Sequence, residues 1–335
     1  MENNKKEFIE ELFDIEENPT TNKNDDQKLD LNKFSMMKRY GEELTSVEYV
    51  TDPAIERENE LKKMILTLFT PEKSPILVGP PGTGKTAIVE GLAYRIQKKE
   101  VPDALKDYKI IKINTVAMVG NIEKEGNTEV KLQLLIDELA QLDKTILFID
   151  ETHTLIGNKE SGGLDFANIL KPALSRGNIK MIGATTIAEY DHYIVKDKAF
   201  LRRLEKIEIL EPTAEMTVKI LLGSIPKIEK HTGLKMNYSN FIKERVMTFI
   251  VDMTTEYNRV FESASRYPDI CLAMLTKIFS YAIFDNQNEV KFKHIWQTIS
   301  TTEVVYPDVL KKYKEIFKKE FDGILEEENV DTFTF

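Results

Sequence analysis

The sequence holds a single cysteine, Cys271, in 335 residues. That excludes a disulfide scaffold and any zinc site built on thiolates. Four histidines, His153, His192, His231 and His294, are scattered without ligand spacing, so they form no metal motif. No apolar run approaches the roughly 18 residues of a membrane span. The opening MENNKKEFIE has no apolar stretch after its lysines, so a secretory signal is not expected. Together these absences lead to the expectation of a soluble chain in a reducing, cytoplasmic setting with no membrane partner. Internal repeats and Pro-rich or collagen-like segments are also missing. Between Tyr108 and Phe148 there is no aromatic residue at all.

What is present is enough apolar residue, 41%, to build a real core. The net charge is −10, from 46 Lys and Arg against 56 Asp and Glu, which argues against a chain built mainly to neutralise phosphate backbones. The acidity sits at the two ends. Residues 1–35 hold ten acids and five lysines, and residues 320–335 hold six acids and no base, so 36–319 sums to +1. The body is therefore not repulsive to nucleic acid.

Four parts are expected. Residues 1–38 read as an acidic tail with little to bury. Within it Phe8, Ile9, Leu12 and Phe13 mark one face of a short helix, either a fraying terminus or a docking peptide. From 39 to 212, short apolar runs at 76–78, 110–113, 146–149, 181–183 and 207–209 alternate with helical periods. Ile88, Val89, Leu92, Ala93 and Ile96 form one helical face, and Val130, Leu134, Ile136 and Leu139 mark another segment. This pattern predicts an α/β fold, a five-stranded parallel sheet between helices with right-handed crossovers. From 213 to 302 strand signals fade, and segments near 214–231, 240–257, 267–284 and 291–300 predict a small all-helical lid. Residues 303–335 hold one more helix and an acidic end. On that helix Val309, Leu310, Tyr313, Ile316, Phe317 and Phe321 make an apolar face amid lysines, read as packing on the lid or on a neighbouring subunit.

The strongest chemical signal is Gly79-Pro80-Pro81-Gly82-Thr83-Gly84-Lys85-Thr86, followed by Ala87. It fits G-x-x-x-x-G-K-[ST] after an apolar run and before a helical period, the context that a phosphate loop requires. Glycines let backbone N–H groups turn inward around an anion, and the helix start adds its positive end. Lys85 is placed to reach the β- and γ-phosphates of ATP, and Thr86 to give its hydroxyl to Mg²⁺. The second signal is Ile146-Leu147-Phe148-Ile149-Asp150-Glu151, an apolar strand ending in two carboxylates. Asp150 suits the metal, and Glu151 suits the water that attacks the γ-phosphate. Thr185-Thr186 ends another strand at the same crevice, where a hydroxyl can orient that water. Arg202-Arg203 precedes the last strand, either as a solvated pair or as arginines reaching a neighbouring subunit's γ-phosphate.

With these features the chain resembles the first ATPase module of the Clp chaperone ATPases, the ClpB/ClpC/ClpA type of AAA+ protein. The resemblance covers roughly 38–282. It runs through Tyr40–Thr45, Asp52–Arg57, GPPGTGKTAIVEGLAYRI at 79–96, Val101–Lys106 and ILFIDETHTLIG at 146–157. It continues through NILKPALSRG at 168–177, IGATTIAEYDHYIVKD at 182–197 and Tyr267–Ile270. The resemblance implies that Lys85 and Thr86 belong to Walker A, that Asp150 and Glu151 form Walker B, and that Thr186 is sensor 1. It implies arginine fingers at Arg202 and Arg203 acting in trans, hence a homo-oligomeric ring, usually a hexamer, that acts on a protein partner. It also puts Asp52 to Ile55 beside the adenine and Asp269 in the lid near the nucleotide. Arg266 is not expected to act as a sensor.

One departure stands out. Where the family carries an aromatic residue that grips threaded polypeptide, this chain has Glu123-Lys124-Glu125-Gly126. A flat apolar ring gives sequence-tolerant contact area that a lysine does not. Two other readings follow and rank below protein remodelling. One is a nucleic-acid-linked ATPase, a loader or helicase accessory, motivated by Lys124 and the lysines at 311–319. The other is an ATP-gated regulatory scaffold without threading activity, motivated by the missing aromatic. The 284 residues between the tails are expected to hold one such module rather than two.

Overall fold

A computed structural model describes residues 35–120, 128–142, 144–156, 170, 179–260 and 266–332. The Phe8–Phe13 face, the 123–126 segment, the run at 168–177 apart from Leu170, and Phe333-Thr334-Phe335 lie outside the described residues.

Six strands form one sheet: β1 (Gly41–Glu43), β2 (Ser74–Val78), β3 (Lys109–Ile113), β4 (Thr145–Ile149), β5 (Lys180–Thr185) and β6 (Leu204–Glu208). Their order is β1-β3-β4-β5-β2-β6. The last five run parallel, as the apolar runs predict. β1 is an addition to that expectation. It pairs antiparallel with β3, with Gly41 opposite Ile113. Every residue of β2 and β4 is buried, the consequence of a parallel sheet covered on both faces.

Side chains alternate across the sheet. Ile76, Val78, Leu147 and Ile149 face one layer, where Met37, Tyr40 and the helix Thr128–Leu139 pack. Leu77, Ile146 and Phe148 face the other, against α1 (Glu58–Phe69) and α2 (Lys85–Gln97). The predicted face of α2 is buried as expected, from Ile88 to Ile96. The helix at 128–139 differs from its prediction. Val130 and Leu134 are 58% and 45% exposed, and the core-facing residues are Leu132, Leu135, Ile136 and Leu139. Those four fall at i, i+3, i+4 and i+7, so a cleaner helical stripe wins.

The lid begins at α3 (Ala214–Thr232), capped by the Thr213 hydroxyl and ended by Gly233 at φ 75°. It continues through α4 (Asn240–Met253), α5 (Asp269–Phe284) and α6 (Phe292–Ser300). Two further helices, α7 (Pro307–Glu320) and α8 (Asp322–Glu327), complete it. Phe317 of α7, Leu325 of α8 and Phe321 between them enter the same core as Phe249, Phe292 and Trp296, so the helix expected at 303–335 shares the lid's core. Glu211, in the connection from β6, accepts from Arg259 Nη2 at 2.9 Å and from the Tyr267 amide at 2.8 Å, and pairs with Arg266 at 3.4 Å. Three donors on one carboxylate tie the lid to that connection and hold Glu211 below the usual carboxylate range despite its burial. Among the described residues no helix is long and apolar enough to cross a membrane.

Candidate functional site

The carboxyl ends of β2, β4 and β5 carry the phosphate loop, Asp150-Glu151 and Thr185-Thr186. Parallel register puts them side by side, with Val78 opposite Thr185 and Ile149 opposite Gly183. They open into a cleft of about 630 Å³ between the sheet and the lid. Its lining includes Pro81–Ala87, Asp150, Glu151, Thr186, Ile55 and Asp269 among the residues singled out from sequence.

Two glycines make the loop fit. Gly84 caps α2 at φ 89°, a backbone that side chains with a Cβ rarely adopt. Gly82 stands at φ 76°, and a Cβ there would meet the Asp269 Cβ at 2.9 Å, which shows how closely the lid approaches the loop. Lys85 Nζ donates to the Gly79 and Pro80 carbonyls, both at 2.9 Å, so the ammonium rests on the loop's own backbone. Burial lowers its pKa, and Asp150, Glu189 and Glu151 oppose that shift by their charge. The Thr86 hydroxyl donates to Asp150 Oδ2 at 2.8 Å. This is an all-oxygen pair at the phosphate end, the donor chemistry that Mg²⁺ prefers. Glu151 occupies the left-handed region at φ 50°, uncommon for a residue with a side chain, and its side chain is exposed at the cleft.

The two threonines divide. Thr185 is 2% exposed and donates to Glu189 Oε2 at 3.1 Å. Thr186 caps the short helix Ile187–Glu189 in a reciprocal capping box, its hydroxyl accepting from the Glu189 amide at 3.4 Å, and it lines the cleft. Arg202 and Arg203 lie elsewhere. They sit at the amino ends of β2 and β6, where the Ser74 amide donates to the Arg203 carbonyl at 2.8 Å and Lys73 Nζ to the Arg202 carbonyl at 2.7 Å. A five-residue strand, roughly 16 Å at 3.3 Å per residue, separates them from their own chain's phosphate loop.

Several residues lining or adjoining the cleft were not assigned a role there from sequence: Glu90, Glu189 and Arg57 line it, and His153 adjoins Glu189. Glu90 on α2 is pushed above its ordinary pKa by burial, with Lys227 and Lys112 opposing. Glu189 and His153 are 36 residues apart in sequence, so no short motif pairs them. Arg57 is 5% exposed and donates to the Thr83 carbonyl at 2.9 Å, the Leu210 carbonyl at 3.2 Å and Glu60 at 2.9 Å. It thus ties the segment before α1 to the phosphate loop and to the connection into the lid. Its place in the Asp52–Arg57 run was the available signal. Arg57→Ala is expected to cost roughly 2 kcal/mol, because two carbonyls lose their charged donor. Urea unfolding reads that loss, and an unchanged midpoint would show that the guanidinium ties nothing together.

The sheet, loop and cleft define a P-loop nucleotide-binding module with a helical lid. Residues 75–211 match the family model described as ATPase family associated with various cellular activities (AAA). Over those residues the chain matches an AAA module, and it is similar to proteins of the Clp chaperone type. It is 43% identical over 215 residues to the chaperone protein ClpB of Aquifex aeolicus, covering 63% of this chain and 21% of that protein. It is 42% identical over 214 residues to a ClpA homolog, an ATP-dependent Clp protease ATP-binding subunit, of Cyanidium caldarium, covering 63% of this chain and 25% of that protein. The chain thus spans a quarter or less of the length of these relatives. Among solved structures it is similar to Hsp104 in a closed state with ATPγS and FITC casein, at TM-score 0.66 and 32% identity over 86% of this chain and 49% of that one. It is also similar to the S. cerevisiae Hsp104–ADP complex, at TM-score 0.65 and 34% identity over 78% of this chain and 44% of that one.

Proposed function

We propose that this chain hydrolyses ATP and uses the cycle, in a homo-oligomeric ring, to remodel a protein partner. The carrying observation is the convergence of Lys85, the Thr86–Asp150 pair and the exposed Glu151 at the carboxyl ends of β2 and β4. Lys85 leaves its loop carbonyls to meet the β- and γ-phosphates, where its charge offsets theirs. Thr86 and Asp150 would hold Mg²⁺, which supplies further positive charge to the phosphate oxygens. Glu151 takes the proton of the attacking water, and Thr186 orients that water from the adjoining strand. Ile55 and the segment at 47–53 also line the cleft and would take the base of the nucleotide. Arg202 and Arg203 act on the neighbouring subunit's nucleotide, and their distance from their own loop supports that role. A cytoplasmic setting fits the lone, buried Cys271.

The aromatic-free stretch between Tyr108 and Phe148 favours a second reading, an ATP-gated scaffold that holds a protein without threading it. Turnover measured alone, with an unfolded protein such as casein, and with single-stranded DNA separates these readings. Remodelling predicts a severalfold stimulation by the unfolded protein. Stimulation by DNA alone would overturn it, and no stimulation by either favours the scaffold.

A further inference from the structure

We infer that Glu189 and His153 are positioning residues that lock the strand end bearing Thr185 and Thr186 to the turn bearing Glu151. The inference rests on the hydrolytic reading above and deepens it. Glu189 is a third carboxylate at the phosphate end of the cleft, close enough to Lys85 to raise its proton affinity along with Asp150 and Glu151. Its surroundings differ from those of Glu151. One oxygen, Oε2, accepts from the Thr185 hydroxyl at 3.1 Å and the Thr186 amide at 3.0 Å, and meets His153 Nδ1 at 2.9 Å. The Glu151 carboxylate makes no hydrogen bond or ion pair among the described residues; its backbone alone is engaged, the amide donating to Asp150 Oδ1 at 3.1 Å and the carbonyl accepting from the Thr154 amide at 2.9 Å. An acceptor already committed to three donors is a poor proton acceptor for water, whereas an uncommitted one is suited to it. The two glutamates therefore have different tasks.

His153 carries the link across strands. It follows Glu151 by two residues and opens the short helix His153–Ile156. Its ring stacks on Tyr193 at 6.3 Å and 20°. Between Glu151 and His153, the buried Thr152 hydroxyl donates toward the Ile149 and Ala184 carbonyls, and the Thr152 amide donates to Ala184 at 2.9 Å. Glu151 is thus bracketed. On one side Asp150 is bonded to Thr86, and on the other Thr152 and His153 are bonded to β5 and to Glu189. Glu189 itself is fixed from behind by the π-helical turn Tyr190–Ile194, whose end residues are buried. A π turn inside a helical segment is a local irregularity that recurs at functional sites. The lock sets where Glu151 and Thr186 point relative to each other, and misplacement of reacting groups by about 1 Å costs up to about 100-fold in rate.

The test uses the full chain. Glu189→Ala is expected to lower kcat for ATP by about 10- to 100-fold while the Kd of a fluorescent ATP analogue stays within about threefold, because no phosphate-loop contact is lost. His153→Ala should lower kcat in the same sense, and the double variant should be no worse than Glu189→Ala, because the two act as one unit. His153→Asn, whose amide keeps a donor, should recover most of the rate. Additive losses, an unchanged kcat, or a Kd that weakens in step with kcat would overturn the lock. Should Glu189→Ala fail to fold, Glu189→Gln keeps an acceptor oxygen and should fall between it and the wild type. Hydrogen exchange at the Thr154 and Leu155 amides, bonded to the Glu151 and Thr152 carbonyls, reads the lock without turnover. Faster exchange in both alanine variants is expected, and unchanged exchange overturns the lock whatever the ATPase rate. A wild-type chain that hydrolyses no ATP but shows faster exchange in the variants would instead refute the hydrolytic reading alone.

Discussion

Glu151→Gln is expected to lower ATP turnover by roughly 100- to 10,000-fold, the usual contribution of a general base, while ATP still binds. Glutamine keeps the size and the left-handed backbone position of Glu151 but cannot take a proton from water. Lys85, Thr86 and Asp150, which we propose meet the phosphates and the metal, are unchanged by the substitution, and the Thr86–Asp150 bond does not involve it. The variant should therefore accumulate in the ATP-bound form and retain its protein partner, so a pull-down in ATP is the natural companion to the rate and to a nucleotide Kd. Hydrolysis at the wild-type rate would remove the water-activating role from Glu151.

The second large effect is expected at Arg202 and Arg203. Replacing both with alanine should leave each chain's ATP affinity within about twofold yet lower turnover by roughly 1,000-fold or more, the range seen when an arginine finger is absent. The reason is placement. Both residues stand at the amino ends of β2 and β6, and the phosphate loop stands at the carboxyl end of β2. They serve another copy's nucleotide or none. Mixing distinguishes these cases. The double variant has intact Glu151, and Glu151→Gln has intact arginines, so mixed rings contain sites with one good half from each. Turnover above that of either variant alone would support action in trans. An unchanged rate in the double variant would refute it.

Much of this arrangement was readable from the sequence, for identifiable reasons. Parallel strands buried on both faces are continuous apolar runs, so Ile76–Val78 and Ile146–Ile149 announce themselves. The phosphate loop and Asp150-Glu151 are contiguous, and their chemistry is written in consecutive letters. β1 was not readable. Gly41-Glu42-Glu43 is short and polar, and it pairs at a sheet edge because its neighbours hold it there. The helix at 128–139 offers two overlapping sets of apolar residues, and contact with Met37 and Tyr40 decides between them. The Glu189–His153 pair joins two strands across 36 residues, a relation that only the register of β4 beside β5 creates. Arg57 was legible as part of a run but not as a tie, since its two long-range acceptors, Thr83 and Leu210, are backbone carbonyls that any sequence supplies.

The contact between Asp269 and Gly82 has a mechanical consequence. Asp269 is the first residue of α5, a sixteen-residue helix about 24 Å long at 1.5 Å per residue, and its far end is the exposed Phe284. All the lid helices share one core, so a push on Asp269 would turn the lid as one rigid body. A rotation of about 10° at the loop would carry Phe284 through roughly 4 Å over that helix length. Under the proposed cycle, an event as small as the loss of one phosphate group would be amplified in this way into a displacement large enough to push on a neighbouring body.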